Sequence, residues 1–234
     1  MVRDQSIRPK ELFAVFITLE GIDGCGKSTQ ARLLAAALEH AGREVVLLRE
    51  PGGVAISEQI RDILLDPANE AMSDACELLL YEAARAQVVH EVIAPALDAG
   101  SVVVCDRFFD STTAYQGIAG GSAREDVDRA NALAVSERVP DITFVFDIDP
   151  ETAAARRSDR DGSPDRMEAK GLAFQEQVAE GFRTIAREEP QRVRLIDASQ
   201  PVDAVFACML AELARAGLPV DAADARAALL SVGA

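Results

Sequence analysis

The stretch GIDGCGKSTQ, residues 21–30, fits G-x-x-x-x-G-K-[ST]. A loop of this kind turns successive backbone N–H groups inward around a polyphosphate. Gly21, Gly24, Cys25, Gly26, Lys27, Ser28 and Thr29 are therefore expected to hold a nucleoside triphosphate. Lys27 is expected to bridge its β- and γ-phosphates, and Ser28 to reach a magnesium ion. A helix opening near Lys27 adds its positive end. Asp23 is the anomaly, a carboxylate inside a loop built for anions.

Further reactive side chains follow other hydrophobic runs. DRFFDSTTAYQG begins with Asp106, which could hold a metal's water shell, and Arg107, which could grip a phosphate. An ion pair between those two is the alternative. Tyr81 and Arg85 are spaced i, i+4 on a helical pattern and share one face, suited to stacking on a base and bonding its edge. A tyrosine packed at the core or rim would look the same. The segment 156–170, RRSDRDGSPDRMEAK, is polar and arginine-rich around Gly162 and Pro164, and reads as a mobile flap.

The elements that must position these groups are legible as alternating patterns. FAVFITL (13–19), EVVLLR (44–49), SVVVCD (101–106), DITFVFDI (141–148) and RVRLID (192–197) read as buried strands. Helical patterns separate them, notably KSTQARLLAAALEHAG, DACELLLYEAARAQVVHEVIAPAL and AFQEQVAEGFRTIAREE. This alternation predicts an α/β fold of the P-loop NTPase type: five strands, mostly parallel, with helices on both faces. Ligands then sit at the carboxyl ends of the strands, where the motifs fall. The expected organisation is a loose extension over 1–12, a phosphate-loop domain over 13–216 with a flap near 156–170, and an Ala-rich tail over 217–234.

Composition narrows the partners. With 24 Lys+Arg against 39 Asp+Glu, the chain of 234 residues carries a net charge of −15. Nucleic acid and anionic membranes repel such a protein, so an anionic substrate requires a local cationic cluster. No apolar run approaches membrane-spanning length. The four cysteines form no C-x-x-C pair and the polar N-terminus shows no secretory leader, which points to the cytoplasm. A GTPase is excluded by the lack of an N-K-x-D guanine reader.

Taken in order, LEGIDGCGKST, REPGG, YEAARAQ, DRFFDSTTAYQG, PDITFVFDIDP and IDASQP resemble the thymidylate kinase (dTMP kinase) family from about residue 13 to 214. The resemblance implies transfer of the γ-phosphoryl group of ATP to dTMP, with Mg²⁺, in a homodimer. It implies that Tyr81 stacks on thymine where the family usually has Phe, and that Arg85 bonds the thymine edge. Ser111, Thr112 and Gln116 fall near the base, and Arg107 and Arg49 approach the acceptor phosphate. Tyr115 would crowd C2′ of the sugar, Glu50 and Pro51 form the turn beside the acceptor, and Asp106 with Ser28 organises magnesium. Asp23 would face the acceptor and bond its 3′-hydroxyl; bonding the N–H groups of its own loop is the alternative. Some members carry an arginine where this chain has Gly24, and members lacking it resemble this chain in supplying one from the flap. Arg156, Arg160 and Arg166 are the candidates, with Arg160 preferred, so Lys27, Arg107 and Arg160 form the expected catalytic set. Another nucleoside monophosphate or deoxynucleoside kinase, or an ATP-binding regulatory protein without transfer activity, are the rival readings.

Overall fold

The structure is a computed structural model and describes residues 14–158 and 165–233. Five strands form its sheet: β1 (Val15–Glu20), β2 (Val45–Arg49), β3 (Val102–Asp106), β4 (Ile142–Asp147) and β5 (Val193–Asp197). They pair in the order β2-β3-β1-β4-β5, and every pairing is parallel. Each lies within a residue or two of its predicted span: β1, β3 and β4 are buried on both faces and read as nearly unbroken apolar runs, while the edge strands β2 and β5 are partly exposed but still rich in Val, Leu and Ile. The sheet is wholly rather than mostly parallel.

The helices are α1 (Lys27–His40), α2 (Ala55–Leu65), α3 (Asp74–Val88), α4 (Ala94–Asp98), α5 (Phe109–Thr112), α6 (Arg124–Val135), α7 (Pro150–Ser158), α8 (Leu172–Glu188), α9 (Val202–Arg215) and α10 (Ala222–Val232). Wide π-helical turns at Val89–Ile93 and Thr113–Ile118 continue α3 and α5. Alternate residues of β1 feed two cores: Val15, Ile17 and Leu19 meet Leu33, Leu34 and Phe182 on one face, while Phe16 joins Val88, Ile93 and Phe108 on the other. The Ala-rich end of the chain forms α10, whose Ala228 is fully buried and whose Leu229 and Val232 pack on the first core.

The central strand, β1, lies between β3 and β4, and the chain switches sides of the sheet around it. A crevice therefore opens beyond the carboxyl end of β1. The phosphate loop leaves the sheet there, beside the turns that follow β2 and β3.

Candidate active site

Two clefts meet beyond β1. The first, about 590 Å³, is bordered by Gly24, Gly26, Lys27, Ser28 and Thr29 of the loop and by Arg49 and Asp106. The second, about 500 Å³, is bordered by Pro51, Tyr81, Ser111, Thr112, Tyr115 and Gln116. Asp23, Glu50, Arg61 and Arg107 border both and form the shared wall.

In the first cleft Lys27 folds back, its Nζ donating to the carbonyls of Gly21 at 3.0 Å and Ile22 at 2.9 Å. The Gly26 cap of α1 offers no side-chain acceptor, which leaves the positive helix end for a ligand anion. Ser28 Oγ donates to Asp106 Oδ2 at 2.5 Å. Two further loop residues are placed differently: Cys25 is buried with its Sγ 3.6 Å from Lys27 Nζ, and Gly21 lies under the loop against Phe146. Gly24 has a definite reason to lack a side chain. Its φ is +92°, and a Cβ there would lie 2.3 Å from the carbonyl oxygen of Ala153 in α7. The loop cannot host an arginine at this position without moving α7.

At the shared wall Arg107 Nη2 donates to Asp23 Oδ1 at 2.7 Å and to Tyr115 Oη at 3.2 Å, and its Nη1 to Ser111 Oγ at 3.0 Å. Arg107 thus pairs with Asp23 across the crevice rather than with its neighbour Asp106. Burial pushes the Asp23 carboxyl up, but Arg107 and Lys27 outweigh it and hold the pKa at about 2. Arg107 has φ +73°, a left-handed conformation rare for any residue but glycine. Glu20, at the end of β1, fixes that turn by accepting from Phe108 N at 2.7 Å and Ser111 Oγ at 2.6 Å. Burial and then the charge of Asp110 push Glu20 up to about 7. Arg49 and Arg61 both donate to the carbonyl of Pro51, each at 2.9 Å, in the turn after the cis Glu50–Pro51 bond. Lys27, Arg49, Arg61 and Arg107 supply the local cationic cluster that an anionic substrate of an acidic protein requires.

In the second cleft Tyr81 and Tyr115 supply the aromatic faces. Tyr115 is packed by Phe174 and Phe182 at ring separations of 6.1 and 6.2 Å, and Arg107 lies over it at 5.0 Å. Arg85 borders neither cleft. It is 2% exposed, bonds Glu50 at 2.8 Å, Thr112 at 2.9 Å and Glu82 as well, and lies over the Phe108 ring at 5.3 Å. Burial, with Glu82 nearby, pushes Glu50 up to about 7 despite Arg85.

The flap candidates separate. Arg156 is tied to the carbonyls of Ala198 at 2.8 Å and Ser199 at 3.1 Å. Arg166 is buried, donating to Leu64 O at 2.7 Å and to Glu77 at 2.5 Å. Arg160 lies outside the described residues, as does the extension 1–12. Arg157, not anticipated, sits one turn beyond Ala153, lies 3.7 Å from Glu168, and its charge helps to lower the Asp23 pKa. Arg61, Glu20, Glu77 and Glu82 were also missed. Arg61 had a usable signal, since the helix after REPGG must pass the same crevice; the three glutamates had none.

The thymidylate kinase family model matches residues 19–208. This chain belongs to the thymidylate kinase family. A thymidylate kinase of Trichlorobacter lovleyi is 46% identical over 212 residues, covering 88% of this chain and 100% of the relative. One of Symbiobacterium thermophilum is 48% identical over 192 residues, covering 82% and 89%. The crystal structure of the Ehrlichia chaffeensis thymidylate kinase matches with a TM-score of 0.70 at 34% identity, covering 86% of this chain and 99% of that one. The Ehrlichia chaffeensis enzyme thus shares this chain's fold over nearly its whole length.

Proposed function

We propose that this protein is an ATP-dependent nucleoside monophosphate kinase that phosphorylates dTMP to dTDP in the synthesis of dTTP. The observation that carries the reading, within this family, is the pair of clefts joined by one wall of Asp23 and Arg107. One cleft is a phosphate loop; the other has aromatic faces and a polar end suited to a pyrimidine. A transferring phosphoryl group needs little covalent help and much positioning and charge stabilisation, which four cations at the junction can supply.

In this reading ATP lies along the loop, and Lys27 exchanges the carbonyls of Gly21 and Ile22 for phosphate oxygens. Ser28 and Asp106 offer two hard oxygen donors side by side, a set that suits Mg²⁺ bound through few protein ligands, and among the described residues no cluster of three or more His, Cys, Asp or Glu competes with it. Held there, the ion supplies neutralisation of phosphate charge. Arg107, with Arg49, holds the acceptor phosphate. Asp23, ionised throughout the physiological range, accepts from the 3′-hydroxyl, and Tyr81 stacks on the base. Tyr115 leaves no room at C2′ for a ribose hydroxyl. Arg85 supports the base end through Thr112, and Arg160 is the cation that closes on the phosphoryl group. The protein works as a homodimer in the cytoplasm. Exposed Leu79 and Leu133, which border one groove between α3 and α6, support self-association. Four free cysteines fit a reducing compartment, and among the described residues no helix is long and apolar enough to cross a membrane.

The reading is tested by ADP release with dTMP, its ribose counterpart, dUMP, dCMP, AMP and GMP, and by sedimentation for the dimer. dTMP should lead, and the ribose form should fall well behind it. Equal rates for the deoxy and ribo forms would remove Tyr115 from its role. ADP release with none of the acceptors would favour a regulatory ATP-binding protein.

A further inference from the structure

Two buried glutamates stand behind the polar end of the second cleft, and neither borders it. Glu82 Oε1 accepts the hydroxyl proton of Thr112 at 2.8 Å. The same Thr112 oxygen receives Arg85 Nη1 at 2.9 Å. A guanidinium only donates, so the hydroxyl must turn its proton to the carboxylate and has one lone pair left. Glu77 Oε1 accepts from Gln116 Nε2 at 2.8 Å. Glu77 also takes Arg166 Nη1 at 2.5 Å and Lys170 Nζ at 3.2 Å. Burial works to raise the Glu77 pKa, but the hydrogen bonds from Gln116 and Arg166 and the charge of Lys170 outweigh it and keep it below the usual glutamate value. A carboxylate so held accepts only, so the Gln116 amide must give it the nitrogen and turn its carbonyl oxygen the other way. Thr112 and Gln116 both border the cleft.

We propose that Glu77 and Glu82 set the hydrogen-bond polarity of this wall: by holding the donors of Gln116 and Thr112 they leave oxygen lone pairs facing the cleft, which selects a ring with a donor there, the N3–H of thymine or uracil, over cytosine, whose N3 is an acceptor. Both act as positioning residues, through Gln116 and Thr112. The inference rests on the dTMP kinase reading and adds to it the source of discrimination among pyrimidines. A site built around unpaired acceptors rejects a ring that also presents an acceptor, because buried lone pairs are left facing each other.

The test is kcat/KM for dTMP, dUMP and dCMP in the wild type and in Glu77→Gln, Thr112→Val and Arg166→Ala. In Glu77→Gln the new amide can donate to the Gln116 carbonyl, so Gln116 can turn its nitrogen to the cleft. The dTMP-to-dCMP ratio should fall about tenfold or more, while the dTMP-to-dUMP ratio holds, since both rings carry N3–H. Arg166→Ala removes a brace from Glu77 without touching Gln116, and with Lys170 still holding the carboxylate the dTMP-to-dCMP ratio should stay near its wild-type value. A loss in Glu77→Gln shared equally by the three substrates overturns the proposal and leaves Glu77 a brace for residues 165–170. Should Glu77→Gln fail to fold, Thr112→Val, nearly isosteric, decides: a narrowed dTMP-to-dCMP ratio supports the polarity argument and an unchanged ratio overturns it. Wild-type turnover of dTMP reports separately on the function, so a kinase active on dTMP whose ratios do not move refutes this inference alone.

Discussion

The two clefts are built in opposite ways. The phosphate cleft draws most of its border from one run of residues, 23–29, and its working parts are backbone N–H groups, a helix end and a lysine. The acceptor cleft draws on the ends of β1, β2 and β3, the middle of α3, the π-helical turn after α5 and the segment after α7. The first presents a generic charge pattern that any polyphosphate satisfies. In the proposed reading the second must recognise one ring and one sugar, and its contacts come from several separate parts of the chain. Damage to the first should therefore be blind to the acceptor, and damage to the second should depend on it.

The largest effect expected is on the cation proposed to close over the phosphoryl group. On that proposal Arg160 makes its contact mainly in the transition state, so Arg160→Ala should lower kcat by on the order of 10²–10⁴-fold for every acceptor, with KM shifting only a few-fold. Arg156 and Arg166 are already held by carbonyls and by Glu77, so Arg156→Ala and Arg166→Ala should cost stability more than turnover. Single-turnover rates beside thermal melts separate these outcomes. If Arg160→Ala keeps wild-type turnover, the cation must be found elsewhere, and Arg157 becomes the first residue to replace.

An intermediate effect is expected at the shared wall, where acceptor dependence begins. Asp23→Ala should cost dTMP about 1.5–3 kcal/mol more than it costs 3′-deoxy-dTMP, the value of a hydrogen bond to a charged group. Asp23→Asn, which keeps an acceptor oxygen, should recover part of the difference. Equal losses with the two substrates would mean that Asp23 only braces Arg107.

The smallest effect is on stability against pH. Glu50 stays protonated in the folded protein up to about pH 7, whereas in the unfolded chain it ionises near 4.5. Between those values the folded state binds more protons, so stability falls as pH rises across the window and levels off above it. Asp23 acts in the other direction and at lower pH: its contribution is present above 3.8 and lost as pH falls towards 2. Thermal midpoints from pH 4.5 to 7.5 should therefore decline less steeply in Glu50→Gln than in the wild type, by on the order of a few degrees over the range. Parallel profiles would show that Glu50 ionises normally in the folded protein.

The same contrast explains what could be read from the sequence. β1, the glycine loop and the start of α1 were legible because they are adjacent in the chain and each residue type has one local use. Asp106 and Arg107 were legible as chemistry but not as geometry, since the partner of Arg107 is 84 residues away in Asp23. Glu77 and Glu82 look like solvated helix charges beside leucines and alanines. Their burial becomes sensible only once Arg166, 89 positions along the chain from Glu77, and Thr112, 30 from Glu82, are brought to them. Arg85 could be read as a base contact from its spacing with Tyr81, and the fold instead places it behind the wall, tied to Glu50 and Glu82. A buried charge network is a property of distant pairings, which local periodicity does not carry.

The most direct measurement follows the phosphoryl group itself. The protein is incubated with ATP labelled at the γ-phosphate, Mg²⁺ and dTMP, and the products are separated by chromatography. If the protein phosphorylates dTMP, the label appears in dTDP, in step with ADP, and stays in ATP when dTMP is left out. Label released as inorganic phosphate, or no dTMP-dependent loss from ATP, would contradict that reading.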